Sequence, residues 1–395
     1  MHKVNLIALL ILFAGCSSES SQIQFESLLD SEWSKIVKDN PIYASSMGDL
    51  TQNTEWSDTS VKNIYSDHHH ELEVLNQLDQ LDLSNFTEDN KVNYSLFKQQ
   101  YENSIESHAY KTFLIPFSHR GGIQLQHETT SIVPLRNKQH YFDWIERISK
   151  IDVLVDAAIE KGKIGIAEEI VPPRFLMQKV YKQIELQAFV EPRDSPFYRV
   201  FLEMDRSIDS IETEEIQQKA LNVIKSKVIP AYVKLHRFFK DEYLPACRTS
   251  IGIKEIKNGK EYYEFLARKF TTTNLTPKEI HEIGLSEVAR IRGEMDAIIE
   301  EVKWEGTFKS FLDDLRTNPK FYYETSEELF ESYLATSKRI DPELVKIFKV
   351  LPSMPYGLKP IPMESAPDTT TAYYQRPAAD GSRAGYYYVN LYRPE

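Results

Sequence analysis

The sequence predicts a mainly α protein, a large multi-helix body with a small β element near its C-terminus. Three observations carry this. Glycine is sparse, 14 residues in 395, against 22 tyrosines and 20 phenylalanines; few glycines and many aromatic side chains suit helices that pack through their rings. Apolar residues recur at helical spacing from Phe25 to Val302. From Leu351 prolines arrive every few residues, which excludes helix, and a β-prone run follows at 386–392.

Residues 1–15 read as a lipoprotein signal peptide. Lys3 supplies a basic n-region, and residues 6–13 form an apolar stretch too short to span a bilayer. Phe13-Ala14-Gly15-Cys16 resembles a bacterial lipobox, which more often has Leu where Phe13 stands. Cleavage before Cys16 leaves its thiol to carry a diacylglycerol; the competing reading is a plain secretory signal cut nearby. Residues 16–22 are then the lipidated cysteine and a polar tether. Each buried methylene adds about 0.8 kcal/mol, so several acyl chains on Cys16 anchor the protein to the membrane. Ser17, rather than an aspartate, follows the cysteine, which favours the outer membrane, facing the periplasm. Cys247 is left without a disulfide partner. The net charge of −12 disfavours nucleic acid as a partner, because phosphate binding needs clustered Lys and Arg.

Residues 23–350 read as one continuous helical body, with no Gly/Ser linker and no fixed repeat. Phe25, Leu28, Leu29, Trp33, Ile36 and Val37 make one apolar face, ended by Asn40-Pro41. Further helical runs are expected at 61–81, 88–107, 141–165 and 175–189, and at 213–244 with a break or kink at Pro230. Thr276-Pro277-Lys278-Glu279 is a capping-box start, and Ile280, Gly284, Val288, Ile291, Met295, Ile298 and Val302 follow as a stripe. Thr325 to Glu328 repeats the capping chemistry, with Leu329, Tyr333 and Leu334 expected inward. Residues 351–395 read as an extended, proline-rich segment leading to a strand.

Several short patterns invite a chemical reading. His68-His69-His70 is expected to be a solvated helix face, since three consecutive side chains diverge around a helix. His119 and Arg120 beside Gly121-Gly122 mark a loop whose backbone permits close approach. His127-Glu128 and His281-Glu282 are not zincin motifs, because Ser131 and Leu285 stand where the second histidine is required.

The segments TTTNLTPKEIHEIGLSEVARIRGEM (271–295), YYETSEELFESY (322–333), KRIDPEL (338–344), PYGLKPIP (355–362) and APDTTTAYYQ…DGSRAGYYYVN (366–390) together resemble the large bacterial family catalogued as domain of unknown function 885. Asn40-Pro41-Ile42-Tyr43-Ala44, Arg120-Gly121-Gly122, Ile170-Val171-Pro172-Pro173 and residues 242–247 extend the likeness over nearly all of the chain after the signal.

The resemblance implies a helical body around a cleft, similar to zinc metallopeptidases of the gluzincin type. Members continue past the equivalent of Tyr392 into a helix with a His-Glu pair and then a Gly-His-His, which would supply the zinc ligands and general base. This chain is therefore expected to be the N-terminal portion of a lipid-anchored, zinc metallopeptidase-like hydrolase acting on peptides. Zinc is expected for the full-length protein, with neither metal ligands nor catalytic residues in this chain, and a non-enzymatic helical lipoprotein serving as a binding or scaffold module is the alternative. By the same resemblance, residues 386–391 would be a cleft-edge strand that pairs with an extended substrate. Tyr373, Tyr374, Arg383, Tyr388 and Asn390 are the expected substrate-binding residues, Arg383 for a substrate carboxylate and the tyrosines for the pocket wall. Against this stands the plainer reading that the tyrosines only pack and Arg383 pairs with Asp380.

Overall fold

The computed structural model describes residues 20–361, 363, 366, 370–377, 381 and 384–394. Cys16, Asp380 and Arg383 lie outside these residues. The chain is mainly helical with a small sheet near the C-terminus, as predicted, and the described residues hold a further two-stranded sheet over Phe117–Gly122.

The first unit comprises α1 (Ser21–Asp39), α2 (Pro41–Met47), α3 (Val61–Asp79) and α4 (Glu88–Ala109). Ser20, Ser60 and Thr87 cap α1, α3 and α4, each accepting the backbone N–H three residues on. Phe25, Leu28, Val74, Leu78, Phe86, Tyr94 and Tyr101 form its core. The inward stripe of α1 differs from expectation: Phe25, Leu28 and Glu32 are buried, whereas Trp33 and Ile36 are exposed.

A tight hairpin follows, β1 (Phe117–Ser118) with β2 (Gly121–Gly122). Gly122 has φ 129°, a conformation that favours glycine. Then come α5 (Lys138–Ser149), α6 (Ile151–Ala167), α7 (Arg174–Ala188), α8 (Ser210–Val223), α9 (Ile229–Phe238) and the short α10 (Leu244–Ala246). Their apolar faces meet in the main core, which includes Trp144, Val155, Ile184, Phe197, Tyr232 and Phe239. Pro230 does not break the helical run: a π turn over Ile224–Val228 immediately precedes α9. A wider turn accommodates the ring and the missing N–H of proline.

Beyond α11 (Gly259–Thr271) the packing thins. The long α12 (Pro277–Glu301) starts with the predicted capping box, Glu279 N–H to Thr276 Oγ1 at 3.2 Å and Thr276 N–H to Glu279 Oε2 at 2.8 Å. It has no buried residue, and its apolar stripe faces outward, with Val288 67% and Ile298 51% exposed. α13 (Phe308–Thr317) and α14 (Ser326–Ile340) follow, the latter capped by Thr325 and Glu328 as expected. Among the described residues, no helix is long and apolar enough to cross a membrane.

The C-terminal sheet contains β3 (Tyr356–Pro360), β4 (Ala372–Gln375) and β5 (Gly385–Val389) in the spatial order β3-β5-β4. β5 runs parallel to β3 and antiparallel to β4. The expectation that residues 386–391 form the edge strand is thereby corrected. β5 is the middle strand, and the edge beside it is β4.

Candidate functional site

Alternation along β5 divides the sheet into two faces. Tyr387, Gly385 and Val389 point one way, and Tyr387 meets Tyr333 of α14 with ring centroids 6.5 Å apart. Ser326 at the start of α14 donates to the Leu391 carbonyl at 3.0 Å, so α14 backs this face. On the opposite face Tyr373 and Tyr388, directly paired across β4 and β5, stack at 4.9 Å with planes 12° apart. Tyr386 lies beside them, with Lys359 Nζ 3.8 Å from its ring centroid. This face is an aromatic ladder carrying one ammonium.

The hydrogen-bond alternation fixes which edge of β4 is free. Asn390 N–H donates to Thr371 O at 2.9 Å, while Gly385 N–H and the Val389 carbonyl bond toward β3 at Pro355 and Ile361. Residues 371, 373 and 375 therefore turn their backbone groups toward β5, and Ala372 and Tyr374 turn theirs away. Among the described residues, no backbone partner meets Ala372 or Tyr374 on that outer side.

β4 leads into a groove. Gln375, Arg376 and Pro377 form one wall of a space of about 480 Å³, with Tyr43 and Met47 of α2, Leu50, and residues 131–136 opposite. Burial holds His140, also on this wall, below the usual imidazole range, and nearby Arg136 adds to the effect against Asp143. A neutral imidazole suits its bond from the Arg136 N–H at 3.3 Å. The site therefore combines an open strand edge, tyrosines on both faces and a groove at one end.

The other expected site residues are placed as follows. Tyr374 packs across Gly385 on the α14 side. Asn390 anchors the end of β5, its Nδ2 donating to Ala366 O at 2.7 Å and its Oδ1 accepting the Tyr392 N–H at 2.9 Å. His127 sits beside a buried amide network: Gln187 Nε2 meets its Nδ1 at 3.0 Å. Gln124 and Gln183 hold the hairpin through the carbonyls of Ser118 and His119, and Arg120 is exposed at its tip. Burial pushes the free Cys247 thiol up to about 12, which makes it unreactive. Among the described residues, no three His, Cys, Asp or Glu side chains assemble into a group able to hold a metal ion.

The histidine run behaves differently from the expected solvated face. His69 is exposed. His68 stacks on His108 with centroids 3.8 Å apart and planes 7° apart. His70 Nε2 lies 2.9 Å from both carboxylate oxygens of the buried Glu32.

Fold and site thus describe a helical protein whose C-terminal sheet has, among the described residues, an outer edge of β4 with no strand partner. A family model described as "Bacterial protein of unknown function (DUF885)" matches residues 41–395, and the chain belongs to that family. Among solved structures it is similar to "the putative lipoprotein from Colwellia psychrerythraea", with a TM-score of 0.79 and 22% identity over 95% of this chain and 68% of that one. At that identity the likeness concerns the fold. No curated protein matches the sequence.

Proposed function

We propose that the chain forms the substrate-binding portion of a lipid-anchored, peptidase-like hydrolase, held at the outer membrane through acylated Cys16 and facing the periplasm. One observation carries the reading: among the described residues no strand pairs with the outer edge of β4, which runs into a groove between the sheet and the body. An extended peptide adds to that edge through the backbone groups of Ala372 and Tyr374, while Tyr373 and Tyr388 flank its side chains. Alternate side chains of such a peptide fall on the two faces, so the tyrosine ladder and the groove select among them. Membership in the family and the likeness to a structure described as a lipoprotein support the anchor and the architecture.

The edge is tested by fluorescence anisotropy of a labelled unstructured peptide with the wild type and Ala372→Pro. The Ala372 N–H faces away from β5, so proline there removes a donor to the peptide without removing a ladder bond. Loss of binding with an unchanged circular dichroism spectrum supports the reading, and equal binding contradicts it.

A further inference from the structure

The groove at the end of β4 is lined by Arg136 and Arg376 and, among the described residues, by no aspartate or glutamate. Arg136 stands just before α5 and His140 in its first turn, so the groove also meets the N-terminal end of that helix. Asn137 caps it, accepting the His140 N–H at 3.0 Å, and the first-turn amides add partial positive charge.

A further cation lies behind the groove. Arg147, 0% exposed, donates through Nη2 to Ser45 Oγ at 3.0 Å, and Ser45 lines the groove. The Nε of Arg147 is buried with no hydrogen-bond partner among the described residues. Burial holds the guanidinium pKa down to about 10, against the pull of Asp143 and Glu55, so it is charged at neutral pH. Those two carboxylates are committed elsewhere. Asp143 accepts Asn53 Nδ2 at 2.8 Å and Gln139 Nε2 at 2.7 Å, and Glu55 pairs with Lys150. A buried cation with an unmet donor costs free energy, and an anion on the far side of Ser45 recovers part of it.

We propose that, given a peptide added to the β4 edge as above, the groove receives a carboxylate of that peptide, so the site takes peptides that are anionic at the Gln375–Pro377 end. The Arg136 side chain is exposed and, among the described residues, makes no hydrogen bond or ion pair. It is therefore able to close on a carboxylate through two parallel N–H bonds. β4 enters the groove at its own C-terminal end. A peptide running parallel to β4 thus brings its C-terminal carboxylate there, and an acidic side chain supplies the same chemistry in either direction.

Fluorescence anisotropy at low salt compares three forms of one N-terminally labelled, unstructured peptide: the free C-terminal acid, the C-terminal amide, and the amide with one glutamate. The free acid is expected to bind about tenfold tighter than the plain amide, the size of one hydrogen bond between charged groups. A gain in the glutamate form instead assigns the carboxylate to a side chain. Arg136→Gln, at an exposed position, abolishes the preference. A plain amide that binds as tightly as both carboxylate forms overturns the proposal, as does a preference that Arg136→Gln leaves intact. Ala372→Pro separates the groove from the edge. Carboxylate preference at wild-type affinity in that variant supports the groove and contradicts the edge. Binding lost in Ala372→Pro, with no carboxylate preference in the wild type, supports the edge and overturns the groove. Absence of binding by all three forms overturns both.

Discussion

Tyr374 lies across Gly385: a Cβ built on Gly385 would fall 2.0 Å from the Tyr374 hydroxyl oxygen. Glycine at 385 is thus what lets the Tyr374 ring settle on the α14 side of the sheet, next to the free edge of β4. Gly385→Ala displaces that ring and costs about 1–3 kcal/mol, as overpacking does. Urea denaturation measures the loss. Tyr374→Ala in the same chain recovers part of it, and a double-mutant cycle showing no coupling between the two positions contradicts the contact.

Stability falls in mild acid. Burial, followed by the charge of Arg199, holds His127 below the usual imidazole range. Burial, followed by His68, does the same for His108. A folded-state pKa below the unfolded value means that the unfolded chain binds more protons between the two. The stability these groups contribute is therefore complete above about pH 6.5 and is lost as pH falls through the folded values. Melting temperatures from pH 7.5 to 5 check this, and His127→Gln flattens the slope because a neutral amide faces Gln187 instead.

Thr276→Ala removes the side-chain acceptor at the start of α12 and costs that helix about 1 kcal/mol. α12 has no buried residue, so the loss is local. Amide exchange speeds up in its first turn, while the global unfolding midpoint moves little. A large shift in the midpoint would show that α12 is coupled to the core.

The outward stripe of α12 offers an exposed apolar surface to hydrophobic dyes. Val288→Lys with Ile298→Lys lowers the fluorescence of a bound naphthalene sulfonate dye. Both positions are more than half exposed, so the two changes alter stability by only about 0.5 kcal/mol each. Unchanged dye binding places the apolar surface elsewhere.

What the sequence made legible was local. Both capping boxes, the helix end at Asn40-Pro41 and the change of character at Leu351 depend on neighbouring residues, and all stand in the structure. Strand order depends on distant ones. The run at 385–389 suits a middle strand as well as an edge, and the later strand enters between two earlier ones. Glu32 continues the spacing of Phe25 and Leu28, and a carboxylate in an apolar stripe requires a buried partner. Its partners are the buried Tyr101 and the half-buried His70, which diverges inward from the exposed His69. The tyrosines of β5 fall on a strand as the β-prone run at 386–392 predicts, but the residue pattern reveals neither β4 nor which backbone groups stay open.

The most direct test of the β4 edge is residue-resolved amide exchange of the full chain with and without a saturating, unstructured peptide. Slower exchange at Tyr374 and Ala372, with Tyr373 unchanged, is the predicted result, because only the first two amides face away from β5. Exchange at Ala372 and Tyr374 that does not respond to the peptide, while other regions do, contradicts peptide addition at this edge.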